Sequence, residues 1–147
     1  MADNATIYIA DPSLLGSKTL DQLEGIRWYE SLSQGSSAAG VKFILDAGQV
    51  AMNFMPQELM EEHLQGFSAY AEHAVKDKER LPYVLSRIRH VRLVLGCVIE
   101  PGFDEAGKIQ EFLFHFNGLL NGLLFLADTI FDYDGEPLGG PLAEQES

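Results

Sequence analysis

The sequence predicts an α+β protein: a single, mainly antiparallel sheet with helices packed on one face, in the order β-α-β-β-α-α-β-α-β. Three observations carry this reading. Residues 56–75 and 104–120 repeat apolar side chains at helical spacing. Short apolar or alternating runs at 6–9, 41–45, 50–55 and 91–99 have strand character, and turns bearing Gly, Pro or Asp separate the segments. The chain has 147 residues, 46% of them hydrophobic. A chain of that size buries roughly 70% of the surface it exposes when unfolded, enough for one core without disulfide or metal staples. Residues 1–138 are expected to form one domain, and the polar, Gly- and Pro-bearing stretch 139–147 a flexible tail.

The elements follow in order. Thr6-Ile7-Tyr8-Ile9 alternates as a strand does. A helix is expected from Thr19, which has capping-box spacing to Gln22, although Leu20, Leu23, Ile26, Trp28, Tyr29 and Leu32 spread around its wheel. Residues 34–40 read as a small, flexible connection. Strands at 41–45 and 50–55 are joined through Asp46-Ala47-Gly48-Gln49, whose glycine suits a turn.

Pro56 fits the first turn of the next helix. On it Leu59, Met60, His63, Leu64, Phe67, Tyr70, Ala71 and Ala74 share one arc, with Glu61, Glu62, Gln65 and Ser68 opposite. A short helix over 82–89 leads into strand 91–99. Pro101-Gly102 ends that strand, and Asp104 is placed to cap a helix with Ile109, Phe112, Leu113, Phe116 and Leu120 as its buried stripe and Gly118 at its close. A last strand, 123–131, ends at the turn Asp134-Gly135.

Strand 91–99 is apolar on both faces, with Leu93, Leu95 and Cys97 alternating with Val94 and Val98. In strand 123–131, Phe125 and Phe131 are set against Leu126 and Ile130. Such strands are covered on both sides. The helices are too few for two faces, so the second is expected to be covered by another protomer or a partner. The alternative is that the first helix crosses over and completes a three-layer monomer.

Ten Lys and Arg against 22 Asp and Glu leave a net charge of −12. That balance excludes a general nucleic-acid or anionic-membrane binder, since both need excess cations, and favours a basic protein as partner. Cys97 is the only cysteine and lies in an apolar run, which predicts a buried, inert thiol. The start, Met1-Ala2-Asp3-Asn4, lacks the features of a secretory signal, and 112–127 is too short to span a bilayer. A cytoplasmic location is expected.

The candidate sites are few. His63 sits on the apolar arc, where a hydrogen-bonded core histidine is the simpler account and a ligand or base the alternative. His73 lies ten residues on, so the two do not form the i, i+4 pair of helical zinc sites, and no metal or other cofactor is expected. Lys76, Lys78, Arg80, Arg87, Arg89 and Arg92 crowd six of the ten basic residues into one short region. They either solvate a helix and balance nearby carboxylates or, with His90, bind an anion. Asp128, Asp132, Asp134 and Glu136 crowd the end of the last strand; the opening Asp132-Tyr133-Asp134-Gly135 suits a hairpin turn and lacks the ligands of a calcium loop. Gly16-Ser17-Lys18-Thr19 lacks the Gly-Lys adjacency of a phosphate loop, and no nucleophile elbow is present.

Three segments, 63–70 (HLQGFSAY), 88–96 (IRHVRLVLG) and 120–125 (LNGLLF) running on to FDYDG at 131–135, together resemble an uncharacterised group of bacterial proteins in which a similar module sometimes precedes a helical domain of unknown function. The resemblance covers roughly residues 60–138. It implies a bacterial, stand-alone version of that module and carries over no catalytic residue.

The expected function is a non-enzymatic protein-interaction module: a homodimer, or an adaptor or immunity-like protein with a basic partner. The alternative is a small-molecule or anion-binding protein or enzyme with a pocket near His63, His90 and Arg92, with Arg89 beside them. A cleft joining His63, His90 and Arg92 would favour the alternative.

Overall fold

A computed structural model of the chain describes residues 3–34 and 37–145. Its strands are β1 (Asp3–Ile9), β2 (Ile26–Gln34), β3 (Ser37–Leu45), β4 (Gly48–Phe54), β5 (Leu93–Glu100), β6 (Leu123–Leu126), β7 (Thr129–Phe131) and β8 (Pro137–Gly139). Its helices are α1 (Ser17–Leu20), α2 (Gln57–Ala74), α3 (Leu81–Arg89), α4 (Lys108–Leu119) and α5 (Pro141–Gln145). The protein is α+β, with one antiparallel eight-stranded sheet in the order β2-β3-β4-β5-β1-β6-β7-β8.

Helices cover both faces, not one. On the first face α4 lays Ile109, Phe112, Leu113 and Phe116 over Ile7, Phe43, Met52, Leu95 and Leu124, and Leu20 of α1 packs at the margin. On the second face α2 and α3 lay Met60, Phe67, Ala71, Val84 and Ile88 over Tyr8, Val94, Leu123 and Ile130. The apolar residues of β1, β5 and β6 alternate between the two clusters, which is why those strands read as apolar on both sides. The second layer comes from α2 and α3, so the first helix is not the one that crosses. It is only four residues long.

Most of the segment expected to be helical from Thr19 is strand β2. Tyr29 turns toward the first face, and Trp28, Glu30 and Leu32 toward the second, in register with Ile44, Lys42 and Gly40 of β3. Register shifts at Ile26/Trp28 and Leu32/Ser33 break the strict alternation, which makes the segment resemble an untidy helix. Thr19 lies inside α1, whose N-cap is Gly16 without a side-chain bond. Ser37–Gly40 belongs to β3 instead of a flexible connection, while residues 35–36 lie outside the described residues. Leu59, placed by its phase on the apolar arc of α2, is 55% exposed on the first turn.

The expected last strand is a hairpin, β6 and β7, turning at Ala127 and Asp128 with φ of 52° and 58°. Two left-handed residues match the twist of a two-residue hairpin loop, but an alanine there costs about 1–2 kcal/mol relative to glycine. Tertiary bonds hold the turn: Tyr70 donates its hydroxyl to the Asp128 carbonyl, and Thr129 Oγ1 donates to the Ala127 carbonyl at 3.2 Å. The turn also resets the facing, so Phe125 shares the second face with Ile130 while Leu126 and Phe131 share the first. Beyond it the chain is not a loose tail up to residue 145. Gly139 ends β8, and α5 follows with Leu142 packed against the first core; residues 146–147 lie outside the described residues.

Cys97 is buried on the first face, and burial pushes its thiol from 9.0 up to about 12. A raised acid is protonated in the folded chain where the unfolded chain has already lost its proton. Stability from this group is therefore full below pH 9 and falls as the pH rises toward 12. Urea unfolding at pH 8 and at pH 10.5 is expected to show a steeper alkaline loss for the native chain than for Cys97→Ala; equal losses would show that the thiol is not buried in solution.

Candidate functional site

The residues singled out in the sequence do not assemble into one cleft. His63, on α2, is half-buried with its Nε2 2.8 Å from the Tyr8 hydroxyl, and its ring is 5.7 Å from that of Tyr8. Tyr8 is buried, and burial pushes its phenol well above the usual range, so it is a neutral hydrogen-bonding partner. His90 caps α3 in an exposed position, its Nδ1 2.7 Å from the Ser86 carbonyl. Arg92 is exposed just before β5 and donates its backbone N–H to Ile9. Arg89 is exposed at the end of α3 and lines a groove of about 470 Å³ between α2 and α3 with Glu61 and Glu72. Clefts lie at the β3–β4 turn, beside α4, between α2 and α3, and against β1; His63, His90 and Arg92 line none of them.

The two charge runs meet each other instead. Arg80 pairs with Glu136 at 2.9 Å and donates to the Pro137 carbonyl at 3.1 Å. Arg87 donates to Asp132 at 2.6 Å and to the Asn121 carbonyl at 2.8 Å. The Asp132 carboxylate is buried and also accepts from the Tyr83 hydroxyl at 2.7 Å and the Tyr133 N–H at 2.9 Å. Tyr83 and Tyr133 flank the Arg87 guanidinium at 5.8 and 6.0 Å. Burial, followed by the bond to Asp132, raises the Tyr83 phenol above its ordinary range. The acidic end of the chain is thus a β7–β8 hairpin turn whose carboxylates clamp α3, with Gly135 at φ 86° supplying its left-handed residue. Among the described residues no group of three or more His, Cys, Asp or Glu side chains is placed to hold a metal ion.

Two surface features stand apart from the candidate site residues. The first is an open half of the second sheet face. α2 and α3 rest over β1 and β5–β8, and none of the residues that pack beneath them comes from β2 or β3. There Trp28 is 54% exposed, in register with Ile44 and Gln49; the next row is Glu30, Lys42, Ala51 and Val98. Leu32, Ile44, Ala51 and Val98 are only half-buried. Reading 26–32 as a helix hid this row, which would have been visible as the alternation Trp28, Glu30, Leu32.

The second feature is a cavity of about 730 Å³ beside α4, walled by the β3–β4 turn and by the loops carrying Glu24 and Asp104. Lys108, Glu111, Phe112 and His115 face it from a single stripe of α4, spaced i, i+3, i+4 and i+7. Asp104 accepts the backbone N–H groups of Lys108 at 3.0 Å and Ile109 at 2.9 Å, which start α4. Those bonds hold its carboxyl below the usual 3.8.

Comparison with protein-family models, with curated proteins and with solved structures finds no match for this chain. No helix among the described residues is long and apolar enough to cross a membrane.

Proposed function

We propose that the protein is a non-enzymatic interaction module of the bacterial cytoplasm that acts as a homodimer, joined through the open half of its second sheet face. The observation that supports this is the patch of Trp28, Ile44 and Val98 left without helical cover, whereas α2, α3 and α4 cover the other apolar strand faces among the described residues. A solvent-facing tryptophan on a rigid sheet is the residue type that anchors interfaces.

Charge selects a second copy as the occupant. The chain carries −12 overall, whereas β2 and β3 offer this face one carboxylate and one ammonium, Glu30 and Lys42, 3.9 Å apart, with Glu100 of β5 at the far end of the Trp28 row. A two-fold axis through the face brings Glu30 of one copy toward Lys42 of the other, while most of the chain's carboxylates stay outside. The edge of β2 is a poorer meeting point, because its two register shifts twist it away from regular pairing. A dimer carries twice −12, or −24, and its remaining acidic surface suits a basic protein in an adaptor or immunity-like role.

Light scattering after size exclusion, over about 1 to 100 μM, is expected to give a dimer mass for the native chain and a monomer mass for Trp28→Ala and Ile44→Glu. Both variants should keep the native circular dichroism, since neither side chain belongs to a core. A monomer across that range, or a dimer unaffected by both substitutions, would overturn the proposal.

A further inference from the structure

We infer that the cavity beside α4 is a binding site for a small organic cation, an ammonium carrying an apolar body. Its size falls within the range of small-molecule sites, and it is concave and half-enclosed by three separate segments of the chain. The floor is apolar and rigid. Leu45 and Phe112 belong to the first core, and the Phe112 ring stacks on Phe116 at 5.8 Å and tilts against Phe43 at 5.1 Å. An apolar body rests on that floor without disturbing it.

The rim sets the sign of the ligand's charge. Glu24, Asp46, Asp104 and Glu111 line the cavity. Asp46 is shared with Arg27 at 2.5 Å and Glu111 with Lys108 at 3.7 Å. Four carboxylates against two cations leave two uncompensated negative charges around an apolar floor. Asp104 is fixed by its two backbone bonds and stays ionised, so the rim keeps its sign at neutral pH. These carboxylates are spread around the opening and do not converge on a point within metal-ligand reach. A compact ion therefore has no coordination shell here, whereas an organic ammonium fills the floor and reaches the rim.

The probe is 2-phenylethylammonium, with 2-phenylethanol and 3-phenylpropionate as neutral and anionic counterparts, read by amide chemical shifts of the full chain. The ammonium is expected to give saturable shifts at Gly25, Ala47, Ala106 and His115, with the alcohol about tenfold weaker and the carboxylate not binding. The variant Glu24→Lys/Glu111→Lys should lose ammonium binding, admit the carboxylate, and keep the native spectrum elsewhere, because both side chains are exposed. Trp28→Ala should bind the ammonium unchanged, which separates this site from the dimer. Equal binding of ammonium and alcohol, shifts spread over the acidic surface, unaltered binding by the charge-reversed variant, or no saturable shift up to about 20 mM would each overturn the inference.

Discussion

Phe67→Ala is expected to lower stability by about 3 to 5 kcal/mol, the cost of deleting a buried aromatic whose surroundings cannot collapse into the space. The collapse is blocked on both sides. The Phe67 ring stacks on Tyr8 at 4.1 Å, nearly parallel, and meets Phe125 edge-on at 5.6 Å, so it joins α2 to β1 and β6 at once. Its removal also takes the ring support from Tyr8, the partner of His63. Ser68 is the control. It lines the α2–α3 groove, and Ser68→Ala should change stability by no more than about 0.5 kcal/mol. Urea denaturation measures both, and similar midpoints for the two variants would show that α2 presents a different face to the sheet.

Arg87→Met should cost about 3 to 5 kcal/mol, because it leaves the Asp132 carboxylate buried without its ion partner. The side chains of Arg87 and Asp132 are only 19% and 8% exposed, so water screens the pair weakly. The Tyr83 hydroxyl and the Tyr133 N–H remain to Asp132, but neither carries charge. The double variant Arg87→Met/Asp132→Asn should recover part of the loss, since no lone charge is then left inside. Arg27–Asp46 offers the contrast. With side chains 64% and 83% exposed, its removal should cost under about 1 kcal/mol despite the short 2.5 Å contact. A loss below about 1 kcal/mol for Arg87→Met, measured by the same unfolding method, would show that Asp132 is solvated in solution.

The sequence revealed those elements whose own periodicity survives packing. α2 and α4 show it best: Ile109, Phe112, Leu113, Phe116 and Leu120, predicted as a stripe, are all buried, and the Asp104 side chain caps the start of α4 as its position suggested. β2 was hidden because its register shifts put Ile26 and Trp28, and Leu32 and Ser33, out of simple alternation. The β6–β7 turn was hidden because Ala127 and Asp128 carry no turn signature; Tyr70, more than fifty residues earlier, helps hold them. The charge runs were each legible, but the pairing of Arg80 with Glu136 and of Arg87 with Asp132 depends on α3 lying over the β7–β8 turn, a tertiary fact that no local pattern encodes. The same holds for the α4 cavity, whose walls come from loops at Glu24, Asp46 and Asp104, and for the open sheet face, which depends on how far α2 and α3 reach.

Strand β1 lies in the interior of the sheet, yet its partners come much later in the chain: Asp3 is opposite Ile99, and Thr6 is opposite both Gly96 and Phe125. Strand β1 therefore leaves the ribosome with no neighbour until some ninety residues have followed, and it gains its second edge only when β6 is made. The β2–β3–β4 meander can form early from local pairings, but it cannot join β6–β8 until β1 is inserted between β5 and β6. Closing loops of that length before any contact repays them makes this insertion the slow step of folding. Until it happens Ile7, Tyr8 and Ile9 are bare, and the nascent protein passes through an interval in which a chaperone has the apolar segment of β1 to hold.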